Sequence, residues 1–186
     1  QEGVTIHFET CPRKPMVDLD VPGRVGTYNV YAEPTVYVRH LNASRVELEL
    51  YTLSPKDFIG LHGEDSWRKW DEYQANSRDL VRSWSLPVEA PLNATRVMSV
   101  TLTGPGDAPL GPGFYYLEVI STETTYVNRH VLIVSDTNLI LKCADTDALV
   151  WATDLRDGTP VSLVEISIYD GRGGLVAQAE TDGNGV

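Results

Sequence analysis

Short runs of period-two alternation, cut apart by Gly, Pro, Asn and Asp, constrain this chain more than any other feature. Val46-Glu47-Leu48-Glu49-Leu50-Tyr51 sets Val46, Leu48 and Leu50 on one side of an extended backbone and Glu47 and Glu49 on the other. Successive side chains of a strand point to opposite faces, so this segment reads as a half-buried strand. Val4 to Glu9, Val36 to Arg39, Val97 to Leu102, Phe114 to Ile120 and His130 to Val134 read in the same way. So do Asn138 to Lys142, Ala148 to Thr153, Val164 to Tyr169 and Leu175 to Thr181. The separators Gly104-Pro105-Gly106-Asp107, Gly111-Pro112-Gly113, Asp157-Gly158 and Asp170 to Gly174 are turn chemistry, where positive φ favours Gly, Asn and Asp. Many short strands at regular spacing predict an all-β, antiparallel immunoglobulin-like sandwich rather than βαβ units.

One stretch departs from the pattern. Ser54 is an N-cap residue followed by Pro55 at the first helical position. Further on, Trp67, Trp70 and Tyr73 are spaced i, i+3, i+6, which fits one face of a short helix. Residues 54–80 are therefore expected as a helical insertion between two strands.

Three segments follow. Residues 1–21 read as the tail of a preceding immunoglobulin-like domain and a linker, because Cys11 to Gly26 is Pro-rich and holds Pro22-Gly23. Residues 22–144 form the sandwich. Residues 145–186 hold three or four strands, too few for an independent sandwich, and are expected to begin a second one. The chain opens on Gln1 without a Met and stops just after a turn, so both ends are expected to be cuts through a longer polypeptide.

The chain of 186 residues carries a formal net charge of −11. Nucleic-acid binding needs clustered Lys and Arg, and no such cluster occurs, so a nucleic-acid partner is not expected. No apolar run is long enough to cross a bilayer, and direct membrane insertion is not expected. Catalytic signatures are missing: no GxSxG elbow, HExxH, phosphate-cradling GxxxxGK[ST] or GxGxxG opening a helix. His7, His40, His62 and His130 are scattered without metal-ligand spacing, and Asp182-Gly183-Asn184-Gly185 reads as a hairpin turn rather than a calcium loop. No catalytic, cofactor or metal residues are assigned, and the chain is expected not to be an enzyme.

Trp67, Trp70, Tyr73 and Trp84 have two readings, a sugar-stacking surface or the packing of the insertion onto a sheet, and packing is preferred. Asn42-Ala43-Ser44 and Asn93-Ala94-Thr95 are acceptor sequons in expected loops. Cys11 and Cys143 lack a CxxC partner and are either buried thiols or one disulfide. A disulfide would close a loop of more than a hundred residues and stabilise by roughly 4–5 kcal/mol in the chain-entropy model. The secreted character of the rest of the sequence favours the disulfide.

The carboxy-terminal third carries a more specific pattern. Ala148 to Leu155 ends in Thr153-Asp154-Leu155, followed by Gly158-Thr159-Pro160-Val161, a strand ending in Tyr169-Asp170, and Thr181, Asp182, Gly185 and Val186. This succession resembles the start of a macroglobulin-like domain in bacterial α-macroglobulins. Upstream, Pro112-Gly113-Phe114-Tyr115 to Val119, together with Tyr28 to Tyr51 and Leu50 to Leu53, is similar to strands of the preceding domain of that family. The likeness spans roughly residues 22–186.

The resemblance implies a part of a large protease trap, an endopeptidase inhibitor in which a cut bait segment triggers enclosure or covalent capture. Cys11 is followed by Pro-Arg-Lys and Cys143 by Ala-Asp-Thr, so neither fits the reactive Cys-x-Glu-Gln motif of the family, and no bait segment is recognisable. A scaffold role is implied, with the other domains of the parent chain and its target proteases as partners, in an extracellular or cell-envelope setting. The alternative is a sandwich module of a cell-surface adhesin or carbohydrate-binding protein. Burial of the tryptophans would favour the first, their exposure the second.

Overall fold

A computed structural model describes residues 6–7, 9–63 and 66–186. Of Val4 to Glu9, expected as a strand, residues 4, 5 and 8 lie outside the described residues, and Ile6, His7 and Glu9 are not in a strand. Alternating apolar positions become two facing sheets. The first has three strands in the order β1–β3–β6: β1 (Met16–Asp20), β3 (Thr35–Leu41) and β6 (Arg96–Thr101). The second has five, β2–β8–β7–β4–β5: β2 (Val25–Asn29), β8 (Asn128–Ser135), β7 (Gly113–Ile120), β4 (Arg45–Thr52) and β5 (Leu80–Pro87). Val36 and Val38 of the first sheet and Val46, Leu48, Leu50, Leu117, Val119 and Leu132 of the second are at most 1% exposed and form the central core. Fully burying one such side chain contributes roughly 1.5–3 kcal/mol before chain entropy is subtracted.

The pairing is antiparallel as expected except at one edge, where β2 runs parallel to β8. The linker expectation also changes: Met16–Asp20 is a strand in register with β3, Val17 opposite His40 and Leu19 opposite Val38. Pro15 and Pro22 give this stretch the look of a linker, yet the run between them alternates and buries Val17 and Leu19.

Between β4 and β5 the chain folds into α1 (Pro55–His62), α2 (Ser66–Glu72) and a 3-10 turn (Ser77–Asp79). Ser54 Oγ accepts the Asp57 amide at 3.1 Å, which satisfies one free N–H of the first turn. This insertion covers the outer face of the five-stranded sheet. Leu61 and Trp70 join Tyr51, Tyr116 and Val131 in a second buried cluster, flanked by Phe58, Tyr73 and Phe114. Phe58 stacks on Phe114 at 4.5 Å, and Trp70 and Tyr73 meet the Tyr116 ring edge-on at 6.2 and 4.9 Å.

The chain then leaves the sandwich. β9 (Thr137–Cys143) pairs only with β10 (Ala148–Asp154), and β11 (Glu165–Tyr169) pairs with β12 (Leu175–Glu180). The boundary expected at 144/145 is therefore the tip of the β9–β10 hairpin, where the Ala144 amide bonds the Asp147 carbonyl at 2.7 Å. The change of unit falls at Asp136, between the last sandwich strand and β9.

Two buried polar side chains tie edge strands to this frame. The Asn128 amide reads β1 as a strand would: its Oδ1 accepts the Leu19 N–H at 3.2 Å and its Nδ2 donates to the Val17 carbonyl at 2.9 Å. His130, fully buried, holds β2. Its Nδ1 lies 2.9 Å from the Gly23 carbonyl, which can only accept, so Nδ1 carries the proton and Nε2 accepts from the Tyr28 hydroxyl at 2.9 Å. Gly26 has no side chain because a Cβ there would press on the Tyr28 and His130 rings.

Asn128→Ala leaves a buried N–H and C=O of β1 unpaired. It should cost about 2–3 kcal/mol in urea unfolding, whereas an exposed substitution on β1 should cost under about 0.5 kcal/mol. Equal effects would refute the bridging role. The His130 imidazole is held below its ordinary pKa by burial, as is His40 by burial and then the Arg96 charge. Their neutral forms belong to the fold, so the stability they contribute is complete above the unfolded value of about 6.5. It is lost as pH falls from there towards the lower folded values. Denaturant midpoints should therefore drop between pH 7.5 and 5.5. His130→Gln should shrink that drop to the part that His40 contributes. A variant that keeps the whole pH dependence would contradict the assignment.

Candidate functional site

Three of the four histidines sit within packed elements. His40 and His130 are buried, and His62 in the last turn of α1 places Nδ1 2.6 Å from the Phe58 carbonyl while its ring lies against Phe58 at 4.4 Å. Among the described residues no three His, Cys, Asp or Glu side chains come together as metal ligands would. The Asp182 carboxylate is occupied: Oδ1 accepts the Asn184 and Val186 amides at 2.8 and 3.0 Å, and these bonds hold its pKa below the usual value. The turn it builds docks on β10, with the Ala152 amide on the Gly185 carbonyl at 2.8 Å and Trp151 Nε1 on the Asn184 carbonyl at 3.2 Å.

The aromatic group does not assemble into a platform. Trp70 is 6% exposed, Tyr73 packs on Tyr116, and Trp84 lies half-buried under the Arg82 guanidinium at 4.9 Å. Trp67, 64% exposed in the first turn of α2, stands apart from them. The i, i+3 spacing puts it about 60° round the helix from Trp70, and only Trp70 joins the buried cluster on the sheet.

The cysteines are not joined. Cys11 and Cys143 are both free and exposed, so neither the disulfide nor the buried-thiol reading describes this structure. Cys143 ends β9 on the hairpin that leaves the sandwich, whereas Cys11 precedes β1.

The two sequon asparagines are brought together. Asn42 and Asn93 both adopt left-handed backbone, with φ of 50° and 62°. Asn42 Nδ2 donates to Asn93 Oδ1 at 3.0 Å and to the Arg13 carbonyl at 2.7 Å, while Asn42 Oδ1 accepts the Asn93 amide at 2.7 Å. Asn93 Oδ1 also accepts the Arg13 amide at 2.8 Å. Both amide hydrogens of Asn42 are committed to this clasp, which pins the segment entering β1. No sequence signal pairs two asparagines so far apart in the chain.

Residues 137–186 carry a row of exposed apolar side chains. Two hairpins, β9–β10 and β11–β12, enclose an open cleft of about 360 Å³ lined by Leu149, Val150, Ile166, Ile168, Ala177 and Val186. Only Ala152, Thr153, Ile166, Thr181 and Gly185 of this unit are buried, while Leu139, Leu141, Leu149, Leu175 and Val176 are 44–65% exposed. Exposed apolar residues concentrated on neighbouring strands leave this unit without the facing layer that a sandwich strand packs against. The alternation of Ile166 and Ile168 was legible in the sequence; the lack of a facing sheet was not.

No known family's sequence profile matches the chain, and no curated protein is similar enough in sequence to count as a match. Solved structures do match. Native alpha-2-macroglobulin from Escherichia coli spanning domains NIE-MG1 superposes with a TM-score of 0.70 at 18% identity, covering 92% of this chain and 85% of that one. The same protein spanning MG0-NIE-MG1 gives 0.70 at 17% identity, over 93% of this chain and 56% of that one. Salmonella alpha-2-macroglobulin reacted with methylamine gives 0.68 at 20% identity, over 94% of this chain but 10% of that one. The chain thus corresponds to a small share of the longest of these proteins. It has the fold of bacterial alpha-2-macroglobulin domains, an all-β sandwich with a short helical insertion followed by part of a second β unit.

Proposed function

We propose that this chain is a scaffold portion of a bacterial α-macroglobulin-like endopeptidase inhibitor, acting without catalysis in an extracellular or cell-envelope parent. The observation that carries the reading is the fold likeness to bacterial alpha-2-macroglobulins, which extends over more than nine-tenths of the chain. Two further features support it. Neither cysteine sits in a Cys-x-Glu-Gln context, so capture chemistry would reside elsewhere in the parent. The open cleft of residues 137–186 fits further strands of a second sandwich, supplied by other parts of the parent chain. The tryptophans divide: Trp70 is buried and Trp84 half-buried, which supports the scaffold reading, whereas Trp67 and Trp151 are exposed, as a sugar-stacking surface would need.

The test uses the parent protein mixed with an endopeptidase. Digestion of a large protein substrate should slow while cleavage of a small peptide continues, and the chain of 186 residues alone should affect neither. A parent that leaves both reactions unchanged, or a chain that binds polysaccharide by itself, would contradict the proposal. The chain alone should also bind an apolar dye at its open cleft. A longer piece of the parent that completes the second sandwich should bind several-fold less. Equal dye binding would show that the cleft is not completed from within the parent.

A further inference from the structure

The helical insertion has a second neighbour besides the sheet it covers. The Asp170–Gly174 turn joining β11 to β12 lies against α1, and the two enclose a groove of about 420 Å³ lined by Lys56, Ile59, Gly60, Gly63 and Lys69 on one side and Tyr169, Gly171 and Gly173 on the other. The closest approach is backbone to backbone: a Cβ on Gly63 would collide with the Gly171 carbonyl oxygen. Gly63 has φ −81° and ψ −159°, extended backbone that any residue adopts, so its own conformation does not call for glycine. The contact with the second unit does. Gly60, one turn earlier, makes the contrast, because a Cβ there would meet open space.

The other half of the contact is preformed. Asp170 Oδ1 accepts the Arg172 and Gly174 amides at 2.9 and 2.8 Å, and the Gly173 amide bonds the Asp170 carbonyl at 3.0 Å. Gly173 takes φ +83°, a left-handed conformation that favours glycine, and a Cβ there would stand 3.2 Å from the Ile59 Cγ2. The turn thus holds its shape through its own bonds and presents the Gly171 carbonyl oxygen to Gly63 at the end of α1.

A second point of contact joins the two units. The Tyr31 hydroxyl, in the turn after β2, donates to Asp154 Oδ2 at 3.2 Å, and the Arg156 guanidinium lies 4.1 Å over the Tyr31 ring. The Leu155 amide bonds the Asp136 carbonyl at 2.7 Å beside the crossing itself. Two contacts on different elements fix a direction where a single flexible crossing at Asp136 would not.

We propose that the helical insertion is the seat that orients the 137–186 unit on the sandwich, and that Gly63 is the positioning residue of that seat, its partner being the Asp170–Gly174 turn of the same chain. The test is nuclear magnetic resonance on the whole chain with Gly63→Ala, Gly60→Ala and Asp170→Ala. In the unsubstituted chain, residual dipolar couplings of residues 16–135 and 137–186 should fit one alignment tensor. Gly63→Ala should shift the amides of 169–174 and split the tensor in two, while the couplings within 16–135 still fit the same sandwich. Asp170→Ala should split it as well by loosening the turn, and it decides the question if Gly63→Ala does not fold. Gly60→Ala should match the unsubstituted chain. Two tensors in the unsubstituted chain, or one tensor kept in every folded variant, would overturn the proposal.

Discussion

Strand β7 must be covered on both faces, and the rest of the sandwich follows from how that cover is supplied. Tyr115, Leu117 and Val119 point inward at the three-stranded sheet, while Phe114 and Tyr116 point outward. An open sheet face carrying these aromatics would be a large exposed apolar patch. The chain answers with the helical insertion, whose Trp70, Tyr73 and Phe58 close over Tyr116 and Phe114 and leave Tyr116 with no exposed surface. Glu118, on the same outer face beyond the reach of the helices, is paired with Arg129 at 3.3 Å instead. One strand therefore explains why a sandwich of this kind carries helices at all, and why they sit between β4 and β5.

The same requirement goes unmet in residues 137–186. Both hairpins alternate as sandwich strands do, yet β12 is exposed along its whole length and β9 nearly so. Physically this is half a core: local pairing and turn chemistry are in place, and the facing layer is not.

The central strands were legible in the sequence because burial of one face sets apolar residues at every second position, as in Val46 to Tyr51, and burial of both faces makes the run nearly continuous, as in Phe114 to Ile120. The helical insertion was legible from Ser54, Pro55 and the spaced aromatics. Three outer strands, β1, β2 and β5, escaped. An edge strand pairs on one side only and needs fewer apolar residues: β2 contains Gly26, and β5 interrupts its Trp84 and Leu86 with Ser83, Ser85 and Arg82. The unit boundary was misplaced for a related reason. Ala144-Asp145-Thr146-Asp147 has the composition of a linker and of a hairpin loop alike, and only the pairing of β9 with β10 separates the two. Contacts distant in sequence, such as the Asn42–Asn93 clasp, the Asn128 bridge to β1 and the separation of Cys11 from Cys143, leave no local trace. They depend on the assembled fold, which spacing alone does not contain.

The central claim is that this chain joins one complete core to one incomplete core. Native-state hydrogen exchange on the intact chain tests it most directly, because amide protection reports local opening free energies along the sequence. The account predicts that amides of β4, β7 and β8 exchange only through global unfolding, while those of β9 to β12 exchange through a far cheaper local opening. Protection in β9 to β12 equal to that of β7 would contradict it.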